Sequence, residues 1–502
     1  MKAAERVIVN TAVQYIKTVI GLVLSLYSTR LILSALGIDD YGIYTLIGGV
    51  VSLLSFVVNA LVISTQRFLS YNAGKDNLKI IFSNSLLIHI ALGIVFFLLM
   101  EILSPLILNN LLDIPADRQS AAVYVFQAVI IMVLLSFITS PFKALLISHE
   151  NIVYVSAIDL SDAILKFLIA MSLHNVDCDR LVLYSFLLCS VNLLNLIAFS
   201  IYDFFKYDEC VMPRIHHIDK SYIYEMVSFT SWTTFNVLCI TGRTQGISVI
   251  INRFFSLAIN TAYGLALQVS SALAFLSQSI RNALNPQIMK AEGMGDRAKM
   301  LYLAELESKF CLLLMGIVLV PCLFEMESLI QLWLKEVPDY SVSFCRALIV
   351  ANIIDQITIG LEAANQAYGK IKWYSLIVNS IKLLTIPAII MALYYYNNLF
   401  VVLVGFILFE FLSAVARLII LKYQTGLSVF NYLYNVIAKS ILPLLMTIVI
   451  SYGIIKLSDF KFRFVISLIL SVTVGGVSTI FFSFSRQEKL RLFDILKKIV
   501  HR

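Results

Sequence analysis

Apolar runs long enough to cross a bilayer recur along the whole chain. Stretches such as 86–100 and 311–324 contain almost nothing but hydrophobic residues, and many of the runs reach the ~20 residues that span a ~30 Å hydrocarbon core. In lipid each backbone polar group must be satisfied within its own segment, so runs of this length without strand alternation are helices. Hydrophobic residues make up 60% of the chain and charged residues 14%, against about 25% charged in soluble domains. The sequence therefore predicts an all-α integral membrane protein.

The expected helices are 9–36, 41–64, 80–108, 120–140, 152–173, 181–201, 226–250, 257–280, 309–331, 342–362, 373–396, 399–421, 437–456 and 464–484, about fourteen in all. The first is too long for a signal-peptide core and carries Lys17 and Arg30, so it is expected to stay as a membrane helix. An even number of helices puts both termini on one side. Most of the 38 Lys and Arg fall at the termini and in the loops of that same side, which marks it as cytoplasmic. The basic balance is thus a topology signal, and no separable patch suggests nucleic acid.

The connecting loops expected outside are short, the longest being LWLKEVPDYS at about 332–341. No soluble domain is present to carry a catalytic constellation, which argues against an enzyme. The cysteines form no CxxC pair and no metal spacing, and no cofactor is implied.

The chain also repeats internally. Tyr41-Gly42 opens a stretch that ends in a loop with Gly74 and Asp76, and Tyr263-Gly264 opens one that ends with Gly295 and Asp296. ALLISHENIVYVS (144–156) aligns with AANQAYGKIKWYS (363–375) at nearly the same offset. Six helices separate each pair, so the repeats run parallel. The expected division is 1–215 and 216–425 as six-helix lobes, 426–485 as two further helices, and 486–502 as an amphipathic cytoplasmic tail with an apolar stripe from Leu490 to Val500.

RLILSALGIDDYGIYTLIGGVVSLLSF (30–56), Thr65-Gln66-Arg67-Phe68, FFSLAINTAYGLALQVSSALAFLSQSIRNALNPQI (254–288) and QLWLKEVPDYSVSF (331–344) resemble Wzx-type polysaccharide flippases. These belong to the multidrug/oligosaccharidyl-lipid/polysaccharide exporter superfamily. The resemblance covers nearly the whole chain. It implies two six-helix lobes around a central cavity, alternating access, a location in the bacterial inner membrane, and an undecaprenyl-pyrophosphate-linked oligosaccharide as cargo. A drug or metabolite antiporter of the same fold is the alternative.

Ionisable residues inside the membrane are costly and mark candidate sites. Gln14, Lys17, Gly21, Ser25 and Ser28 form one polar face of the first helix. Ser228, Trp232, Asn236, Cys239, Arg243 and Gly246 form another in 226–250. Lys17, Arg243 and Lys382, with Arg30, Gln14 and Asn236, are the expected substrate contacts for an anionic headgroup. Interhelical packing is the competing reading of both stripes. Arg30 has two alternatives, snorkelling outward or pairing with Glu101. Asp162 pairs by spacing with Lys166, leaving either neutralisation or an ion site. Asp355 lacks a cation one turn away on its own helix, and with Asp162 it is the candidate for coupling to a proton or sodium. Glu410 reads as isolated.

Overall fold

The computed structural model describes residues 3–52, 56–75, 77–111, 114–176, 178–214, 218–255, 257–334, 337, 339–457, 463–484 and 489. Among these residues there are helices and no strands. The tail 486–502, apart from Lys489, and Asp76 lie outside them.

The helices are α1 (Ala3–Ser52), α2 (Phe56–Tyr71), α3 (Leu78–Leu106), α4 (Gln119–Ser148), α5 (Ile152–Ser172), α6 (Arg180–Lys206), α7 (Lys220–Phe254), α8 (Leu257–Gly293), α9 (Arg297–Phe324), α10 (Met326–Leu334), α11 (Ser341–Gln356), α12 (Ile359–Tyr368), α13 (Ile371–Tyr396), α14 (Phe400–Thr425), α15 (Val429–Leu433), α16 (Lys439–Leu457) and α17 (Arg463–Ser478). Each expected segment falls on one or two of them. The helices run past the apolar stretches, because hydrogen bonding continues beyond the point where lipid demands it. α9, for instance, begins at Arg297, twelve residues before the expected start at 309.

Nine of the described helical segments are long and apolar enough to cross a membrane, or ten if the bent pair α11–α12 counts as one span. α5 falls outside that set because Asp159, Asp162 and Lys166 crowd its 21 residues. A kink divides α1 where Gly37 takes φ 82°, a left-handed conformation that suits glycine. This break separates the first two expected segments.

Two compact units emerge. One comprises Val9–Thr234 and the other Met1–Ile8 together with Phe235–Arg502. In the first, α4 packs on α6, α3 and α2, and α5 on α6. His89 is fully buried there, bonding to Ser140 at 2.5 Å and Thr65 at 3.1 Å. In the second, α8 packs on α9 and α11, α13 on α14, and α16 on α17 and α9.

The α11–α12 junction bends by 45° and frees backbone groups that would be costly in lipid. Neighbours satisfy them. Tyr432 donates to the Ile357 carbonyl at 2.9 Å and its oxygen lies 2.7 Å from Ser308 Oγ, which can donate to it, and the Gly360 amide donates to Ser308 Oγ at 2.9 Å. Non-helical backbone is tolerated at membrane depth when it is buried in protein in this way. Gly360 lies so close to the Ala304 carbonyl of α9 that a Cβ there would overlap it.

Candidate functional site

Two charge clusters form, one in each unit.

In the unit Val9–Thr234, α1 presents Lys17, α4 presents Lys143, and α5 presents Asp159, Asp162 and Lys166. Lys17 Nζ lies 2.8 Å from Asp159 Oδ2 and Lys143 Nζ lies 2.9 Å from Asp159 Oδ1. One carboxylate is therefore bracketed by two ammonium groups from different helices. One turn along α5, Asp162 pairs with Lys166 at 2.8 Å, as the i,i+4 spacing predicts, and accepts from Asn195 of α6 at 2.7 Å. The side chains remain accessible, at 25% exposure for Lys17, 25% for Asp159 and 35% for Lys143. Three ammonium groups face two carboxylates, so the cluster carries one surplus positive charge.

The second unit repeats the bracket more deeply. Arg243 Nη1 of α7 lies 2.9 Å from Glu410 Oε2 of α14, and Lys382 Nζ of α13 lies 2.7 Å from Glu410 Oε1. Asp355, at the end of α11, lies 3.7 Å from Lys382 and 2.8 Å from Arg417 Nη1. Arg417 also approaches Glu362 Oε2 at 4.0 Å. Lys382, Glu410 and Arg417 are at most 8% exposed. At that depth the desolvation cost of each ion is large, and mutual pairing offsets it.

These positions correct several expectations. Glu410 is not isolated but anchors two cations, because its partners come from α7 and α13 rather than from its own helix. Glu101 accepts from Gln127 at 3.1 Å, and the Arg30 side chain lies outside the described residues. The stripe on α7 packs against α13 from Asn236 onward. Asn236 accepts from Asn379, while Gly242 faces Leu383 and Gly246 faces Ile386. On α1, Gln14 and Ser28 are buried.

Two participants in these clusters, and one buried acid outside them, were not singled out from the sequence. Lys143 lies just past the expected end of 120–140, and it becomes part of the cluster because α4 continues to Ser148. Arg417 lies near the expected end of 399–421, where a cation reads as interfacial. Glu307 is fully buried, with neither carboxylate oxygen hydrogen-bonded to a described residue. It sits on α9 ahead of the expected apolar start, so no signal marked it. No group of described His, Cys, Asp and Glu residues is arranged to hold a metal ion.

No family model and no curated protein matches the chain. Solved structures do. A MATE in complex with MaL6 superposes with a TM-score of 0.71 at 12% identity, covering 83% of this chain and 96% of that one. A MATE in the bent conformation gives 0.74 at 10% identity, with 85% and 96% covered. A MOP superfamily transporter from Pyrococcus furiosus, described as having a binding pocket of reverse polarity that suggests a different function, gives 0.69 at 10% identity, with 83% and 95% covered. At such identities the likeness is one of fold, and the chain has the fold of these MATE and MOP superfamily transporters.

Proposed function

We propose that this chain is a flippase for a polyprenyl-pyrophosphate-linked oligosaccharide. It would act in a bacterial cytoplasmic membrane with both termini cytoplasmic, by alternating access coupled to a proton or sodium gradient. The transporter fold supports the general class. The observation that carries the finer reading is the surplus cation of the Lys17–Lys143–Lys166 cluster, set in helices of a membrane fold and open to a quarter or more of its exposure. An anionic headgroup leaving water pays a desolvation cost that such groups offset by charge-assisted contact.

Lys17 is the first substrate contact in this reading, with Gln14 beside it on α1. Arg243, Lys382 and Asn236 serve the second unit, and Arg30 completes the set. Asp355 and Asp162 are the coupling acids. What supports Asp355 is its contact with Arg417 at 2.8 Å, which its protonation would loosen.

A drug or metabolite antiporter uses the same fold. The observation against it is that Asp355, Glu362 and Glu410 are each already held by an internal cation, which leaves them poorly placed to receive cationic cargo. The test is glycan export in cells carrying Lys17→Ala, Arg243→Ala or both, with membrane levels measured in parallel. Each single variant should cripple export at normal abundance, and Lys17→Arg should retain more export than Lys17→Gln. Normal export by the double variant would return the antiporter to first place.

A further inference from the structure

The two brackets differ in a way that points to different duties. In the second unit the shared carboxylate is sealed, with Glu410 5% exposed and Lys382 8% exposed. In the first, Asp159 and Lys17 are each 25% exposed and Lys143 is 35% exposed. The first bracket is the more exposed of the two, and its charges are the less deeply packed.

Asp159 is also outnumbered. Its Oδ2 accepts from Lys17 at 2.8 Å and from Lys143 at 3.3 Å, and its Oδ1 accepts from Lys143 at 2.9 Å. Asp162 does not share this load, because Lys166 and Asn195 engage it. One negative charge thus holds two ammonium groups that come from α1 and α4. Lysine is a point charge on a flexible stem and can follow an incoming anion. Lys143 is additionally steadied over the Phe199 ring, 6.0 Å from its centroid.

We propose that Lys17 and Lys143 form a two-lysine clamp for a diphosphate, and that Asp159 is its resident counterion, displaced when the ligand arrives. A diphosphate offers more acceptor oxygens and more negative charge than one carboxylate, so it competes for both ammonium groups at once. Asp159, a quarter exposed, can return to water at modest cost. The resident acid keeps the clamp neutralised when empty and weakens the grip on the ligand, which favours release after transfer. The assignment rests on the flippase reading for its biological ligand and deepens it by making Asp159 a counterion that the ligand displaces.

Removing a competing internal anion raises the fraction of clamp free to bind, so Asp159→Asn should bind inorganic pyrophosphate on the order of tenfold tighter than the unaltered chain. Binding is read by calorimetry on the full-length protein in detergent. Lys143→Ala should weaken binding as much as Lys17→Ala does, and Lys143→Arg should restore most of it. Pyrophosphate should also raise the unfolding temperature of Asp159→Asn more than that of the unaltered chain, since two uncompensated lysines gain most from an anion. A purely structural Asp159 predicts a less stable variant whose affinity is unchanged or lower, and that result would overturn the clamp. Pyrophosphate failing to bind either protein would overturn it equally. Farnesyl pyrophosphate separates the sources of the ligand. Tighter binding than pyrophosphate with the same mutational pattern supports a lipid-linked diphosphate. Equal binding with that pattern supports the clamp for a free diphosphate and removes the flippase reading instead.

Discussion

Glu410 and Arg243 stand 167 positions apart in the chain and 2.9 Å apart in space, and Lys382 closes on the other oxygen of the same carboxylate. The carboxylate is therefore the common element of the buried cluster. Losing it removes the ion-pair partner of Arg243 and leaves Lys382 only the longer contact to Asp355 at 3.7 Å, whereas losing Arg243 leaves Glu410 still paired with Lys382.

Glu410→Ala should accordingly destabilise the protein by about 3–5 kcal/mol, the cost of leaving buried charge uncompensated. Arg243→Ala should cost clearly less. Thermal unfolding in detergent provides the comparison, and an Arg243 variant less stable than the Glu410 variant would contradict the bracketed arrangement.

The bend between α11 and α12 gives a second prediction. A methyl group at position 360 meets the carbonyl oxygen of Ala304, which belongs to backbone and cannot swing aside. Gly360→Ala should cost about 1–3 kcal/mol through overpacking. Tyr432→Phe keeps the packing but leaves the Ile357 carbonyl without its side-chain donor, at a cost of about 1–3 kcal/mol. If both variants unfold at the temperature of the unaltered protein, this junction is not held as described.

Outside the spans, Glu209 and His149 meet at 2.5 Å. The histidine hydrogen bond holds the Glu209 carboxyl below its ordinary value of 4.5. A carboxyl lowered on folding contributes stability that is complete above its unfolded pKa and is lost as the pH falls through its folded one. Acid unfolding should therefore steepen below about pH 4.5, and Glu209→Gln should flatten that limb while leaving the neutral range nearly level. An unchanged acid limb in the variant would remove this pair from the account.

Coupling gives the fourth prediction. Asp355→Asn removes the charge shared by Lys382 and Arg417, so gradient-driven transport in liposomes should be lost while the protein still inserts. Transport that responds to the gradient as before would exclude Asp355 as the coupling acid.

The membrane class and the helical content were legible because both follow from local properties. Hydrophobic run length and backbone satisfaction are written into consecutive residues, so the expected segments reappear as helices even where their ends shift. The Asp162–Lys166 pair was legible for the same reason, since four residues of helix bring the two side chains onto one face. Lys17 and Arg243 were visible as cations in apolar helices, although nothing local named their partners.

Tertiary packing decided those partners. Asp159 comes to Lys17 from 142 positions away, and α7, α11, α13 and α14 converge before Arg243, Asp355, Lys382 and Glu410 become one network. Reading one helix at a time makes Glu410 isolated and Asp355 unpaired, because the pairing distance is about 3 Å in space but more than a hundred residues along the chain for Glu410 and Arg243. Exposure follows the same logic. The composition of α5 and α14 does not reveal that packing buries one bracketed carboxylate and leaves the other a quarter exposed.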